Sequence, residues 1–358
     1  MSTSVTSTVP YTLTRIGVVM TPEPGNPLEA EGVLNPGSGR SADGRLWLLP
    51  RLVETGNVSR VGLAEVELTD GVPSGVRRDS VVLQPDAGWE RAKDHGGVED
   101  PRTTWVESLG VHVMTYVAYG PLGPHPALAT STDLRSWQRL GPIRFGYQPD
   151  LDTDLNLFPN KDVVYFPSVI TAPNGRPAYA ALHRPMWDLS WVRPGEGTYL
   201  PAGMTDDRPG IWISYADAEA VARDPRALAE LDQHRLVAMP EYEFEAVKIG
   251  AGPPPLRVPE GWLVIHHGVT GELAQGWDQQ QRVCYAAGAM LLDAEDPSRV
   301  IARTETPLLE PQTEQELSGI VPNVVFPTAI EEVDGQHYVF YGMADSTIGV
   351  ARLDRTTS

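Results

Sequence analysis

The sequence predicts an all-β protein, built as one five-bladed β-propeller domain over residues 1–358. Short apolar runs typical of strands recur along the chain, with starts separated by 65, 67, 84 and 76 residues. Each run is followed by turn residues and a second strand-like run. The 34 glycines and 33 prolines leave little room for long helices. Five units of four short strands fit the length, and radial repetition leaves only short sheet edges.

The repeated runs give the elements in chain order. The first runs of the five units are residues 46–49, 111–119, 178–182, 262–265 and 338–341. The second runs are residues 61–64, 127–130, 211–215, 283–286 and 348–351. Residues 217–234 are an exception, because their alanine-rich spacing and charges predict one surface helix. A β-sandwich, or two stacked sheets, is the alternative arrangement.

Composition excludes several classes of partner. The formal net charge of −19 argues against nucleic acid and against an anionic membrane surface. The single cysteine, Cys284, excludes an internal disulfide framework and any cysteine-based zinc site, and predicts a buried thiol. No segment resembles a signal peptide or an uncharged transmembrane run, so we expect a cytoplasmic protein.

Polar residues concentrate in Gly96-Gly97-Val98-Glu99-Asp100-Pro101-Arg102, directly before a strand-like run. Glycines let the backbone approach a ligand closely, and proline stiffens the turn that presents Asp100. Asp100 is therefore a candidate catalytic acid. An ordinary polar turn with a local Asp–Arg pair is the alternative.

In a propeller, equivalent positions of different units converge on one central pocket. Each unit contributes charged or amide residues near its first strands. These are Asn35, Arg51 and Arg60 from the first unit, Glu99, Asp100 and Arg102 from the second, and Asn160, Lys161, Asp162, His183 and Arg184 from the third, followed by Lys248, His266 and His267 from the fourth and Asn323 and Asp345 from the fifth.

These motifs, in this order, resemble glycoside hydrolase family 130, the inverting β-mannoside phosphorylases and their hydrolytic relatives. The matching segments are Asn35-Pro36-Gly37, Gly97-Val98-Glu99-Asp100-Pro101-Arg102, Asn160-Lys161-Asp162, Leu182-His183-Arg184-Pro185, Lys248-Ile249-Gly250-Ala251-Gly252-Pro253-Pro254, His267-Gly268 and Val321-Pro322-Asn323-Val324-Val325-Phe326-Pro327. The family fold is a five-bladed propeller, in agreement with the interpretation above.

The resemblance implies that Asp100 is the general acid and that phosphate attacks the anomeric carbon from the opposite face, releasing α-mannose 1-phosphate. It implies phosphate binding by Lys161, Arg184, Lys248 and His267. Positions around the mannosyl ring match Asn35, Arg51, Arg60 and Asp345, and Glu99, Arg102 and Asn323 are further candidates for contact with the substrate.

The charges favour phosphate on physical grounds as well. Two unit charges about 4 Å apart repel by roughly 4 kcal/mol at an effective dielectric near 20, so Lys161, Arg184 and Lys248 can gather at one point only around an anion. A metal is disfavoured, since His183, His266 and His267 lack the short spacings of a helical zinc site. We therefore expect a β-mannoside oligosaccharide and inorganic phosphate as substrates, with no metal and no other cofactor.

The chain departs from the family pattern before Lys248, where Phe244 replaces the usual tryptophan and glutamates occupy positions 241, 243 and 245. These glutamates leave an inverting β-mannosidase open as the alternative, because hydrolytic members use a glutamate base. A propeller that binds glycans without catalysis is a further alternative. It would need aromatic platforms, but no acid facing a cluster of basic residues.

Residues 186–209 lengthen the third interval and carry Trp187, Trp191 and Tyr199. These aromatic side chains either stack on the acceptor sugar or pack the loop onto its own blade. The same loop has the length to reach a neighbouring subunit, so a homo-oligomer is an open possibility.

Overall fold

β-strands dominate the computed structural model, which describes residues 8–93, 95–190, 193–272 and 282–356. Strand β1 (Tyr11–Met20) comes first and pairs with the last strand. Group 1 contains β2 (Gly32–Arg40), β3 (Leu46–Glu54), β4 (Val58–Thr69) and β5 (Val72–Leu83). Group 2 contains β6 (Gly96–Val106), β7 (Val111–Gly120), β8 (Gly123–Ser131) and β9 (Gln138–Pro142).

The remaining strands form three further groups. Group 3 contains β10 (Arg144–Phe145), β11 (Asn160–Tyr165), β12 (Ile170–Thr171), β13 (Pro177–Pro185), β14 (Ile211–Asp217) and β15 (Glu230–Ala238). Group 4 contains β16 (Lys248–Ala251), β17 (Leu256–Val258), β18 (Gly261–Gly271), β19 (Val283–Leu292) and β20 (Val300–Arg303). Group 5 contains β21 (Val325–Val333), β22 (Gln336–Met343) and β23 (Thr347–Arg355), with β1 at its edge.

Helices are short. The α-helices are α1 (Ala218–Arg223) and α2 (Glu314–Leu317), and the 3₁₀ turns are Pro27–Glu29, Gly88–Glu90, Glu107–Leu109, Pro149–Leu151, Leu155–Leu157, Pro225–Ala229 and Glu243–Glu245. We call β2, β6, β11, β16 and β21 the leading strands, β3, β7, β13, β18 and β22 the second strands, and β5, β9, β15, β20 and β1 the last strands of groups 1 to 5.

The five groups assemble into four sheets. Groups 1 and 2 are continuous, because β4 and β6 pair in parallel at Val58 with Gly96 and at Ser59 with Gly97. Gly97 permits this contact: a Cβ there would lie 2.3 Å from the carbonyl oxygen of Ser59. The all-β prediction is confirmed. Five separate blades are not, since the described residues form four sheets and none of these is closed.

The hydrophobic core lies between the groups rather than at one centre. One cluster of buried side chains joins groups 1 and 2, and others join groups 2 and 3, groups 3 and 4, and groups 4 and 5. A further cluster joins group 5 back to group 1. Shared cores thus follow the groups in a cyclic order, and burial of these faces holds each group against its two neighbours.

The ten predicted strand runs all lie within β3, β4, β7, β8, β13, β14, β18, β19, β22 and β23. The predicted helix over residues 217–234 is wrong. Only α1 is α-helical there, a 3₁₀ turn follows, and β15 begins at Glu230. Pro225 causes the break, because the residue before a proline is driven out of the helical region, and Asp224 accordingly has φ −146° and ψ 115°. Across the described ranges, no helix is both long and apolar enough to cross a membrane.

Candidate active site

Three leading strands are interrupted at equivalent places by a residue in the left-handed backbone conformation. Asn35 in β2, Asp100 in β6 and Asp162 in β11 have φ of 42°, 47° and 58°. The register with the second strand shifts around each of them, as in a β-bulge. Asn and Asp tolerate this conformation because their short polar side chains hydrogen-bond locally. The bulges therefore aim one amide and two carboxylates away from the regular strand faces.

Asp100 lies in a buried cluster with Asn35, Arg51 and Glu99, which we call the acid cluster. Asn35 Nδ2 donates to Asp100 Oδ1 at 2.8 Å, and Arg51 Nη1 donates to the same oxygen at 3.0 Å. Arg51 Nη2 donates to Glu99 Oε1 at 3.0 Å, and Arg51 Nε donates to Ser59 Oγ at 2.8 Å. The guanidinium of Arg51 thus bridges two adjacent carboxylates and fixes the orientation of Asp100.

The Asp100 carboxyl is ionised in the unliganded protein. Burial raises its pKa, but the charges of Arg51 and Lys161 and the hydrogen bond from Asn35 outweigh burial, so its pKa lies below the ordinary value. A general acid must carry a proton. Asp100 can therefore donate only when something offsets the positive field, and an anion beside Lys161 would do so.

Asp345 completes the acid cluster from the turn between β22 and β23, where it has φ 50°. Burial raises the pKa of Asp345 to about 6, and the carboxylates of Asp100 and Glu99 act in the same direction against the guanidinium of Arg51. The guanidinium of Arg51 thus interacts electrostatically with three carboxyl groups, those of Glu99, Asp100 and Asp345. Asp345 therefore holds a proton more readily than Asp100, whose pKa is lowered, and a protonated carboxyl can donate to a sugar hydroxyl.

A second set of residues, which we call the cation cluster, consists of Arg184, Lys248 and His267 around Asp162. Arg184 Nε donates to Asp162 Oδ2 at 2.6 Å, and His267 Nε2 lies 3.6 Å from the same oxygen. Gly250 in β16 makes this approach possible, because a Cβ there would lie 2.2 Å from Asp162 Oδ2 and 2.5 Å from His267 Cε1. Strands from groups 3 and 4 thus converge on one carboxylate.

The cation cluster has more donors than acceptors. Arg184 Nη1 and both ring nitrogens of His267 are buried without a hydrogen-bond partner among the described residues. Burial lowers the pKa of Lys248 to about 7, and the charges of Arg184 and Lys161 act in the same direction. Burial also holds the pKa of His267 well below its usual range, so the ring is neutral. Unpaired buried donors are costly, and an anion with several oxygens would satisfy Arg184 Nη1 and the one ring nitrogen of neutral His267 that carries a proton.

Lys161 links the two clusters. It stands next to Asp162 on β11, and its Nζ lies 3.7 Å from Glu99 Oε2. Its side chain is 25% exposed, so part of it is accessible from solvent. Lys161 lowers the pKa of Asp100 and also that of Lys248. A ligand that neutralises Lys161 therefore acts electrostatically on both clusters.

Two predicted substrate residues have other partners. Arg60 Nη1 pairs with Glu54 Oε2 at 2.6 Å, and this pair belongs to neither cluster. Arg102 is 2% exposed, and its Nη2 donates to Asp162 Oδ1 at 2.9 Å while its Nε donates to the carbonyl of Gly252 at 3.1 Å. Direct contact of either side chain with substrate remains a prediction. The geometry favours a positioning role for Arg102, since it fixes the carboxylate that holds the cation cluster.

Tyr285 is a site residue that sequence reasoning missed. Lys248 Nζ lies 5.4 Å from the centre of its ring, and the ring of His267 lies 5.9 Å away. Its backbone N–H donates to the carbonyl of Asn323 at 2.9 Å, which ties β19 to the predicted substrate residue. Burial raises the pKa of Tyr285, and charges from both clusters, including Asp100, act on the hydroxyl. Its sequence context, an apolar strand run, is that of a core residue and gave no signal.

The aromatic side chains of the loop over residues 186–209 differ in burial. Trp187 is fully buried and packs edge-on against Trp212, with ring centres 5.7 Å apart. This favours the packing role for Trp187. Trp191 lies outside the described residues. Tyr199 is 52% exposed, and its hydroxyl donates to Glu196 Oε2 at 2.8 Å. Of the two described aromatics, only Tyr199 presents its ring to solvent.

In the described residues, none of the three glutamates before Lys248 forms an ion pair with Arg184, Lys248 or His267. Glu241 and Glu243 are exposed. Glu245 is fully buried, accepts from His266 Nε2 at 2.7 Å and pairs with Arg303 Nη2 at 2.8 Å. Glu245 is therefore poorly placed to act as the base of a hydrolase.

The other histidines considered as metal ligands are engaged inside the sheets. His183 Nδ1 accepts from Asn160 Nδ2 at 3.0 Å, and His183 Nε2 lies 2.7 Å from Ser214 Oγ. Within the part of the chain that the structure describes, no group of three or more His, Cys, Asp or Glu side chains is arranged to hold a metal ion.

The fold and the two clusters together define a class: an all-β scaffold that holds a buried aspartate near basic side chains, with donors that have no hydrogen-bond partner among the described residues. Comparison with known proteins makes this specific, because a family model described as beta-1,4-mannooligosaccharide phosphorylase matches residues 33–356. The chain belongs to this family, glycoside hydrolase family 130, and is an enzyme.

Known relatives are similar to this chain over most of their length. A 1,2-beta-oligomannan phosphorylase of Thermoanaerobacter sp. (strain X514) is 32% identical over 301 residues, covering 83% of this chain and 79% of the relative. A beta-1,2-mannobiose phosphorylase of the same organism is 33% identical over 304 residues, covering 83% and 78%. The solved structure of a beta-1,2-mannobiose phosphorylase from Listeria innocua superposes with a TM-score of 0.69 at 21% identity, covering 96% of each chain.

Proposed function

We propose that this chain is an inverting β-mannoside phosphorylase. It uses inorganic phosphate to cleave a β-mannosidic bond and releases α-D-mannose 1-phosphate and an acceptor sugar, in a reversible reaction. The observation that carries the proposal is the cation cluster, whose buried donors on Arg184 and His267 have no partner among the described residues. The names of the relatives support the same chemistry.

In the proposed mechanism, Asp100 is the general acid. A phosphate oxygen forms a bond to the anomeric carbon from one face, while the bond to the glycosidic oxygen breaks on the other. The leaving oxygen receives its proton from Asp100, relayed through a sugar hydroxyl. Acid assistance of this kind contributes about 10²–10⁴ in rate. A bound nucleophile replaces the second carboxylate that an inverting hydrolase needs to activate water.

Phosphate also prepares the acid. Lys161 helps to keep the pKa of Asp100 low in the unliganded protein. A phosphate dianion held by Lys161, Arg184 and Lys248 cancels much of this positive field and raises the pKa of Asp100. The nucleophile and the proton then become available together, which limits proton donation to complexes that already contain phosphate.

The proposed site has two halves. Lys161, Arg184, Lys248 and His267 hold the phosphate. Asn35, Arg51, Glu99 and Asp345 surround the acid and offer hydrogen-bonding groups to the mannosyl ring, and Asn323 is a further candidate for contact with the sugar. Arginine binds phosphate oxygens in a fixed fork whereas lysine acts as a point charge, and together they align the nucleophile.

We also propose that the five strand groups form one five-bladed propeller domain around this site. The cyclic order of the shared cores supports this arrangement, since group 5 packs back onto group 1. A single domain predicts one cooperative unfolding transition. Two well-separated calorimetric transitions that shift independently on mutation of groups 1 and 4 would contradict it.

The test of function is incubation with a panel of β-mannosides of different linkage, in phosphate and in phosphate-free buffer. We expect α-mannose 1-phosphate only when phosphate is present. Sulfate is the matched control, because it has a similar shape and charge but should give no product. Equal release of free mannose with and without phosphate would instead identify an inverting β-mannosidase, the alternative within the family.

A further inference from the structure

Four of the five groups contain a buried glutamate in the short helical turn that precedes the leading strand. Each of these glutamates is at most 2% exposed and forms an ion pair with an arginine on the last strand of its own group. The pairs are Glu29 with Arg78 in group 1, Glu90 with Arg139 in group 2, Glu245 with Arg303 in group 4 and Glu316 with Arg15 in group 5. We call them the anchor glutamates.

In group 4 the anchor is Glu245. Its Oε2 accepts from the backbone N–H groups of Glu241 and Tyr242 at 3.0 and 3.1 Å, and lies 2.8 Å from Arg303 Nη2. Its Oε1 accepts from His266 Nε2 on the second strand at 2.7 Å. One carboxylate therefore ties together the turn before the leading strand, the second strand and the last strand.

Group 5 repeats the same arrangement with Glu316. Its Oε2 accepts from the backbone N–H groups of Gln312 and Thr313 at 2.8 and 3.0 Å. Its Oε1 accepts from Tyr341 on the second strand and from Arg15 on the last strand, both at 2.9 Å. The two anchors match in burial and in the kinds of strand they join. They differ in the arginine contact, because Arg15 Nε hydrogen-bonds to Glu316 whereas Arg303 Nη2 pairs with Glu245 by charge alone. Their contributions to stability should therefore be of the same order.

The two anchors differ in what they adjoin. Glu245 lies three residues before Lys248, and its partner His266 is the neighbour of His267. Successive side chains of a strand point to opposite faces. Accordingly His266 faces the anchor, while His267 faces the cation cluster with its Nε2 3.6 Å from Asp162 Oδ2. Two predicted phosphate residues are thus joined to Glu245 through very short lengths of chain.

The turn that contains Glu245 lies directly on β18, so movement of one must move the other. A Cβ at Gly268 would lie 2.6 Å from Phe244 Cδ2 and 2.8 Å from Glu245 Cγ. A Cβ at Gly288 on β19 would lie 2.7 Å from Phe244 Cζ. Interiors packed this closely transmit small displacements rather than absorb them.

We propose that Glu245 is a positioning residue for phosphate, which holds Lys248 and His267 at the separation that the anion requires. The inference rests on the proposed function and adds to it a residue that touches neither phosphate nor sugar. Loss of the anchor should loosen both phosphate contacts at once while leaving the acid cluster, built on groups 1, 2 and 5, in place.

The experiment compares Glu245→Ala with Glu316→Ala, and Glu245→Gln with Glu316→Gln. Melting temperature, KM for phosphate, KM for the β-mannoside and kcat are measured for all four variants and the wild type. We expect both alanine variants to lower the melting temperature by similar amounts. Only Glu245→Ala should raise the KM for phosphate, on the order of tenfold or more, because a displacement of about 1 Å is enough for such a loss.

The glutamine variants refine the result and remain measurable if the alanine variants do not fold. Glu245→Gln keeps a carbonyl oxygen for the two backbone N–H groups, so its KM for phosphate should lie between those of wild type and Glu245→Ala. Equal phosphate KM values in the Glu245 and Glu316 variants would overturn the role of Glu245. A wild-type enzyme that needs no phosphate would overturn the proposed function instead, so the two failures are distinguishable.

Discussion

The acid cluster and the cation cluster compensate their charges in opposite ways. In the acid cluster, Arg51 bridges Glu99 and Asp100, and Asn35 donates to the carboxylate that Arg51 already holds. In the cation cluster, the single carboxylate of Asp162 compensates the charge of the basic residues around it. Arg184 and His267 retain buried donors without hydrogen-bond partners among the described residues.

This difference shows which half of the site is complete without a ligand. The acid cluster is fixed by its own hydrogen bonds, so its geometry is ready before the sugar arrives. The cation cluster keeps unpaired donors among the described residues, and burial together with the charges of Arg184 and Lys161 lowers the pKa of Lys248 to about 7. Changes to the first cluster should therefore affect the chemical step, and changes to the second should affect phosphate binding.

Replacement of Asp100 should have the largest effect. Asp100→Asn keeps the shape and still accepts from Asn35 and Arg51, but it removes the acid. We expect kcat to fall on the order of 10²–10⁴, with the KM for phosphate within about twofold of wild type. Steady-state kinetics with phosphate varied at saturating β-mannoside measure both constants, with Glu54→Gln as the control on a pair outside both clusters. Activity within a few-fold of wild type would reassign the acid, and Glu99 would be the next candidate.

Arg184→Lys tests the other half. Lysine keeps the positive charge but cannot present a planar fork to phosphate or satisfy Asp162 in the same geometry. Loss of a hydrogen bond to a charged group, about 1.5–3 kcal/mol, corresponds to a rise in the KM for phosphate on the order of 10- to 100-fold. Arg60→Lys is the matched control. If Arg184→Lys lowered kcat and left this KM unchanged, the assignment of the two clusters would be reversed.

The pH dependence of phosphate binding should distinguish the clusters further. With a pKa of about 7, Lys248 is mostly neutral in the free enzyme at pH 8, and a bound dianion raises that pKa. Binding at pH 8 should therefore take up a proton, and affinity should fall as pH rises above 7, by up to about tenfold per unit. Calorimetry in two buffers of different ionisation enthalpy measures the uptake. Lys248→Met should reduce it, and an unchanged uptake would exclude Lys248 as its source.

The same pKa has a consequence for stability without phosphate. The pKa of Lys248 is lowered on folding from 10.5 to about 7, so the unfolded chain binds more protons between these values. Stability contributed by this residue therefore rises as pH increases from about 7 towards 10.5. Thermal unfolding of the wild type and of Lys248→Met across that range should reveal the difference, and parallel curves would argue against it.

The smallest effect should come from the loop over residues 186–209. Tyr199→Ala removes an exposed ring, and we expect the KM for the acceptor in the synthetic direction to rise roughly two- to tenfold. Trp187→Ala is the contrasting variant: it should lower stability by roughly 3–5 kcal/mol because the side chain is fully buried. Neither change should alter the KM for phosphate. An unchanged acceptor KM in Tyr199→Ala would remove that residue from the site.

Sequence reasoning located ten of the strands, because apolar runs with turn residues between them are a local signal. It grouped most residues of the two clusters through the expected convergence of repeated units and the resemblance to a family. The bulges at Asn35, Asp100 and Asp162 were not predicted. Sequence reasoning failed at residues 217–234, where the alanine-rich composition outweighed the break at Pro225.

What the sequence could not provide depends on distant contacts. In the sequence, the anchor glutamates are indistinguishable from ordinary acidic turn residues. Their arginine partners lie on the last strand of each group, and the Glu316–Arg15 pair joins residues 301 positions apart. Tyr285 reads as a core residue because its neighbours are apolar. The protonation states of Lys248 and His267 depend on burial, which no local motif records.

The pairing of β1 with β23 constrains the order in which the parts of the fold can form during synthesis. Tyr11 lies opposite Arg355, and the pairing continues to Met20 opposite Ile348. The ribosome makes β1 first and β23 more than three hundred residues later. The backbone N–H and C=O groups of β1 that pair with β23 therefore have no strand partner until the end of translation. Joining segments so far apart is slow because loop closure must precede contact. Group 5 is therefore the last part of the molecule that can be completed. Asp345, which lies in this group, can join the acid cluster only at that stage.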